Sequence, residues 1–258
     1  MNQSVTLKSA NSDRPAETTS TKYSFFDSKL LIHELFEKGW VVHLQTEAQV
    51  RNPKRQGFQR HMIIFNNKEF NTPEGKLQIV VRNAHDTSCS VEIFSGFMRI
   101  ACENQLFTKD LGTGSLIRIR HTGDDIQTRV MKGFQSMIEF LPTYGKLIYS
   151  LQEKILSPLS QEDFAKQASQ LRFGTDSEIP EKIRTEDVLQ IRRKSDDGNS
   201  AWKVYNRVQE NLVRGGLPYP IQRKSGLSAI AYTRRLRSLN TLPEFNDSLM
   251  DLLLTKMD

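Results

Sequence analysis

Apolar positions in the two halves of the chain follow different periods. Near the start, Leu31 and Leu35 with Ile32 and Phe36 keep an i, i+4 spacing behind Asp27 or Ser28 as N-cap, and Gly39 supplies a stop, so a short helix is predicted. Beyond it the chain reads as extended. Residues 40–51 form a β-branched and aromatic run, 52–57 a basic turn, and 58–65 its return strand. Another turn is expected over 66–75, followed by short strands at 77–82 and 91–94 on either side of the polar segment 83–88. Ile117 and Ile119 alternate with Arg118 and Arg120, the period-2 pattern of a strand with one buried face. The N-terminal half is therefore predicted to be an antiparallel β-meander.

After His121 the period lengthens. Ile126, Val130, Phe134, Met137, Ile138 and Leu141 lie on one helical stripe, and Pro142 is expected to kink or interrupt it before Leu147, Leu151 and Ile155. Further helices are predicted from Ser160 to Gly174, from Thr185, and from Asn199 or Ser200 to Gly215-Gly216. A loop over 215–228 precedes a last helix opened by Pro243. Strands first and helices after define an α+β class. Three segments are expected: a disordered tail at 1–22, a mainly β subdomain at 23–122 and a helical subdomain at 123–258. The tail is rich in Ser, Thr and Asn and lacks the apolar region of a secretory signal.

Composition narrows the class of protein. At 258 residues and 37% hydrophobic content a core is available, and no uncharged apolar run approaches the roughly 18 residues of a membrane span. Cys89 and Cys102 are the only cysteines, too few for a disulfide framework, so a cytoplasmic protein with no membrane partner is expected. The formal net charge is a modest +6, but it is not evenly spread. Residues 182–237 hold thirteen basic residues against five acidic ones, +8, which leaves the remainder at −2. Trp202, Tyr205, Tyr219 and Tyr232 interleave with this charge, and aromatic planes beside guanidinium groups suit unpaired bases and phosphates. Trp202 and Tyr205, at helical spacing, are better read as core.

The candidate contacts to a nucleic acid are Arg51, Lys54, Arg55, Arg60, Arg118 and Arg120 in the β half. Arg192, Arg193, Lys194, Arg234, Arg235 and Arg237 are the candidates in the helical half. Catalytic signals are weaker. His85-Asp86 in a polar turn and His121 with Asp124 at a strand end could approach across a sheet and serve a metal or a general base, yet no metal-binding, Walker or nucleophile-elbow spacing is present. Cys102 lacks an identifiable base and reads as a structural thiol. No cofactor and no metal are expected.

Four segments together resemble the YfjQ/YafZ-like family of phage, prophage and plasmid proteins of unknown function. They are Arg60-His61-Met62, Asn83-Ala84-His85-Asp86-Thr87-Ser88, residues 96–104, and residues 209–216. Arg172-Phe173-Gly174 also matches. Ala84 and Thr87 stand where the family favours Ser and Gly, and Gln105 where it favours Gly, which puts a shared turn geometry in question. The resemblance implies a mobile-element context. The helix, long strand opened by Gly39-Trp40, meander and following helix also look like the core of Rad-fifty-two-type single-strand annealing proteins. The resulting expectation is a homo-oligomeric protein that binds single-stranded DNA without catalysis in annealing, recombination or replication. Two alternatives stay open: an interaction protein acting on a host defence or replication factor, and a metal-dependent nuclease using His85, Asp86, His121 and Asp124.

Overall fold

The structure, a computed structural model, describes residues 7–73, 75–99, 105–108, 116–223, 225–238 and 241–257. It has the α+β architecture expected from the sequence, and it divides into two compact units, Met1–Tyr144 and Gly145–Asp258.

In the N-terminal unit, α1 (Ser28–Phe36) starts where Asp27 accepts from the backbone N–H of Lys29 and Leu30 at 2.8 and 3.3 Å. Leu31 and Leu35 are buried, while Phe36 of the predicted stripe lies exposed. Strands β1 (Val41–Glu47), β2 (His61–Asn71), β3 (Gly75–Asn83) and β4 (Val91–Arg99) then pair antiparallel in chain order. The edge of β4 is shared: β5 (Gln105–Thr108) pairs with Ser95–Met98 and β6 (Leu116–Ile119) with Val91–Phe94. The turn expected over 66–75 is shorter than its composition suggested. β2 continues to Asn71 and Thr72 bonds Gly75 across the turn, because a backbone ladder does not require apolar side chains where Lys68 and Glu69 face solvent.

The register places Phe65, Ile79, Val81, Ile93, Ile117 and Ile119 on one face of this sheet. Helix α2 (Ile126–Glu153) covers that face through its first turns. Phe134 meets Trp40 and Phe65 edge-on at 5.3 and 5.6 Å. Gly133 permits the closest approach, since a Cβ there would stand 3.0 to 3.3 Å from Ile93, Ile117 and Ile119. For this reason the boundary lies at 144/145 and not at the expected 122/123: the stripe Ile126, Val130, Phe134, Met137 and Leu141 is buried as the lid of the sheet. Pro142 sits inside a continuous helix, so it removes one helical hydrogen bond without ending the element.

The expected disordered tail also departs from what is found over residues 7–22. Ser9 donates to Glu47 Oε2 from its hydroxyl and its backbone N–H at 2.6 and 3.1 Å, the Ala16 N–H reaches the His85 carbonyl at 2.9 Å, and Ala10 and Ala16 are buried. Small side chains and polar bonds hold this strap, which is why its composition reads as a tail.

The C-terminal unit continues with α3 (Pro158–Phe173), the single turns α4 (Ile179–Lys182) and α5 (Thr185–Val188), α6 (Ala201–Arg214) and α7 (Thr241–Leu254). Ser157 and Ser200 cap α3 and α6, and Phe164, Val188, Trp202, Tyr205, Leu212, Leu249 and Leu253 form the core. Trp202 and Tyr205 belong to that core, as their spacing indicated. The segment predicted as a loop instead contains a hairpin, β7 (Pro218–Gln222) with β8 (Ser228–Tyr232). Its two prolines hid it, yet an isolated two-stranded ribbon leaves edge positions where proline is tolerated. At its base Gly215 has φ 71°, and a Cβ there would lie 2.7 Å from the Thr233 oxygen, so only glycine fits.

Candidate functional site

Strand register brings three histidines to one end of the sheet. His61 opens β2 opposite Asn83, the last residue of β3, and His85 follows two residues later; Val91 pairs with Ile119 of β6, and His121 again follows by two. All three are buried. The His61 and His85 rings lie 5.2 Å apart, Phe25 tilts against His85 at 4.8 Å, and Tyr23 stacks on His121 at 4.6 Å.

Tautomers follow from the acceptors. A carbonyl can only accept, so His61 Nδ1–H faces the Gln59 carbonyl at 3.4 Å, leaving Nε2 to accept from the Ser28 hydroxyl at 3.1 Å. His121 Nδ1–H likewise donates to the Ser24 carbonyl at 3.0 Å, and its buried Nε2 has no partner. His85 is the least satisfied. The Ser9 carbonyl lies on its side and draws its pKa upward, but no hydrogen bond of good geometry reaches either nitrogen. Burial pushes His61 down to about 4, with the His121 charge adding to it and the Gln59 carbonyl opposing. Burial, then the charges of His61 and His121, push His85 down to about 3, and burial lowers His121 too. At neutral pH the cluster is uncharged.

His85 and His121 lie at the same end of the sheet, near enough for the His121 charge to act on His85, and His61 joins them there. The carboxylates do not join them. Burial raises the Asp86 pKa, but the Ser88 hydroxyl and N–H and the Arg55 guanidinium, 2.7 Å away, more than offset this and hold it low. Asp124 is exposed. Among the described residues no group of three or more His, Cys, Asp and Glu is disposed to share a metal ion. Cys102 lies outside the described residues.

Thr87, where the family-like pattern favours glycine, keeps the left-handed backbone at φ 65°. A residue with a Cβ adopts this conformation at a cost of order 1–2 kcal/mol. Thr87→Gly is expected to raise stability by about 1 kcal/mol, read as a higher urea midpoint at unchanged m.

The proposed cationic contacts separate into two groups. Arg55 pairs with Asp86, Arg118 reaches Glu92 at 3.3 Å beside the buried Arg82–Glu92 pair, and Arg193 grips Glu210 through two 3.0 Å bonds. Arg60 bonds the Ser88 carbonyl, and Arg192 bonds the Asn211 side chain. Each of these holds structure. Arg51, Lys54, Arg120, Lys194, Arg234, Arg235 and Arg237 are exposed and have no carboxylate partner among the described residues. Arg51 also lines an open groove of about 680 Å³ with Lys8, Glu47, Gln49, Gln56 and Gln59. In the C-terminal unit the β7–β8 hairpin exposes Ile230 and Tyr232, the latter at 63%. Arg223 stands at its tip and Arg234 and Arg235 just beyond its base. Of the four aromatics interleaved with the basic segment, Tyr232, the one nearest the arginine run, is the exposed one.

These features define an α+β protein with a buried, uncharged histidine end and two basic surfaces. Comparison with known proteins places it further: the chain belongs to the family described as a domain of unknown function, DUF932, which matches residues 15–241. UPF0380 proteins YfjQ and YafZ of Escherichia coli strain K12 are each 26% identical to it over 243 residues, covering 94% of this chain and 85% of the relative. The family resemblance carried by the 60–62 and 83–88 segments is borne out. No solved structure matches. Among the described residues no helix is long and apolar enough to cross a membrane.

Proposed function

We propose that the protein binds single-stranded DNA through its backbone, without catalysis, and assists annealing or recombination as a homo-oligomer. The observation that carries this reading is the exposed arginine group around the β7–β8 hairpin. Four guanidinium groups, on Arg223, Arg234, Arg235 and Arg237, face solvent without a carboxylate partner among the described residues, next to the exposed ring of Tyr232. Unpaired cations neutralise phosphates, and an exposed aromatic offers a plane to an unstacked base. Arg51 and Lys54, beside the groove on the other unit, add a second surface of the same kind.

With about five phosphate contacts, affinity for a single-stranded oligonucleotide should fall about a hundredfold between 50 and 200 mM salt, measured by fluorescence anisotropy. Replacing Arg234, Arg235 and Arg237 by alanine should lower the slope of log K against log salt by about 2. Binding that ignores salt, or a triple variant with the parental slope, sinks the reading. Leu227 and Ile230, exposed on the same hairpin, favour a second reading in which an acidic protein surface docks there. Capture of a host factor that survives nuclease treatment, with no oligonucleotide binding, is the result that would replace the first reading by the second.

A further inference from the structure

Beside the histidine cluster lies a pocket of about 250 Å³, lined by Ser20, Tyr23, Thr87, Cys89, Ser90, Arg120, His121 and Thr122. We infer that it holds a phosphomonoester, as carried by the terminal phosphate of a nucleic-acid strand; this rests on the DNA-binding reading and makes it specific for strand ends.

The lining is suited to an anion. Four hydroxyls (Ser20, Thr87, Ser90 and Thr122) stand with the Arg120 guanidinium, and no carboxylate takes part. Arg120 is exposed and has no ion pair among the described residues. Arg129 reinforces this rim, donating to the carbonyls of Arg120 and Thr122 at 3.4 and 2.7 Å, which fixes the loop and keeps a second positive charge near His121. Burial raises the Cys89 and Tyr23 pKa values, so neither contributes an anion near neutrality, and the Tyr23 hydroxyl already donates to the Ala84 carbonyl. Thr87 holds its place in the wall through a strained, left-handed backbone of the kind that concentrates at ligand sites.

His121 selects between kinds of phosphate. Its Nδ1–H is committed to the Ser24 carbonyl, so Nε2, buried and without a hydrogen-bond partner, is left as an acceptor lacking a donor on a residue that lines the pocket. An internal phosphodiester carries no proton near neutrality and would set oxygen lone pairs against that nitrogen. A phosphomonoester has a second pKa of about 6 and so still carries an O–H in roughly a tenth of molecules at pH 7, a fraction that rises as pH falls toward 6. That O–H can bridge to Nε2 or transfer its proton to it, giving an imidazolium beside a phosphate dianion; no bond other than O–H and N–H changes. The hydroxyls and Arg120 then satisfy the remaining oxygens.

Two measurements test this. Anisotropy with one short single strand bearing a 5′-phosphate, a 3′-phosphate or only hydroxyl ends should show one of the phosphorylated forms bound about tenfold more tightly, the effect of one or two charge-assisted hydrogen bonds. His121→Asn, which keeps a donor for Ser24 but lacks the Nε2 position, should abolish that difference and leave binding of the hydroxyl form nearly unchanged; Arg120→Ala should abolish the difference too, while weakening all three strands alike by the loss of one general phosphate contact. Arg120 is on the surface, so its variant folds even where the His121 variant does not. In parallel, thymidine 5′-monophosphate alone should shift the amide resonances of residues 87–90 and 120–122. Equal affinity for all three strands, with salt-dependent binding intact, overturns the pocket and leaves the interface standing. If no strand binds while the mononucleotide still shifts those amides, the interface fails and the pocket survives; an unmoved spectrum overturns the pocket.

Discussion

Acidification from pH 7 to pH 4 is expected to cost the N-terminal unit about 3 kcal/mol for each of His61 and His85. Their folded pKa values, about 4 and about 3, stand below the ordinary 6.5. The unfolded chain therefore binds more protons wherever the pH lies between the two values. Stability is complete above about 6.5 and is lost progressively as pH falls toward 4. His121, shifted in the same direction, adds to the loss. Urea titrations followed by Trp40 fluorescence at pH 7, 6, 5 and 4 give the profile. His85→Phe keeps the ring contacts with Phe25 and His61 while removing one titrating group, and should flatten the profile by about 3 kcal/mol over this range. A flat wild-type profile between pH 6.5 and 4 is the result that would disprove it. Phosphate docking beside His121 would oppose the trend, because it supplies the negative charge that the cluster lacks.

Glu210→Ala is expected to destabilise the C-terminal unit by about 3 kcal/mol. The carboxylate is 1% exposed, bonded twice by Arg193 and once by Arg214 at 3.2 Å, one turn below on the same helix. Removing it leaves two guanidinium groups facing each other beside a buried surface, although their own partial exposure lets water relieve part of the cost. Glu210→Gln, with the shape kept and the charge gone, should lose less. By contrast Glu178 pairs with Lys182 entirely at the surface, and Glu178→Ala should leave the urea midpoint where it is. Equal effects at the two glutamates would mean that the Arg193–Glu210–Arg214 group is not a structural clamp.

Much of the fold could be read from local pattern because its elements carry their own signals. Ser200 before the apolar spacing of α6 and Gly215 after it marked both ends of that helix, and the alternation Ile117, Arg118, Ile119, Arg120 marked β6 with its wet face. What escaped was structure made by distant partners. The strap over residues 7–22 is anchored by Glu47 and by the His85 carbonyl, neither visible from the strap's own composition. Pro218 and Pro220 read as a loop until pairing with Tyr232 and Ile230 is known. For the site, His85 and His121 shared a recognisable context of polar turns at strand ends. His61 lies within the return strand expected over 58–65, and only the register opposite Asn83 puts it with the others. The roles of the arginines divide in the same way. Nothing in sequence assigns Arg193 to Glu210 seventeen positions on, or Arg55 to Asp86, whereas the run Arg234-Arg235-Leu236-Arg237 stays free because it has one apolar anchor, Leu236, whose N–H bonds the Val213 carbonyl.

The strap over the histidine end gives acid sensitivity a time dimension. Residues 7–22 lie against His85 through the Ser9 carbonyl and the Ala16 N–H, and that segment is held by two small apolar side chains and a few polar bonds, an attachment that opens locally for less than the global unfolding free energy. Charging of His85 by that route then proceeds at the rate of the opening and not at the rate of proton diffusion, unlike that of His121, which lines a pocket. A brief fall in pH passes before His85 registers it, while a sustained one commits the sheet, since a protonated His85 makes the strap harder to close again.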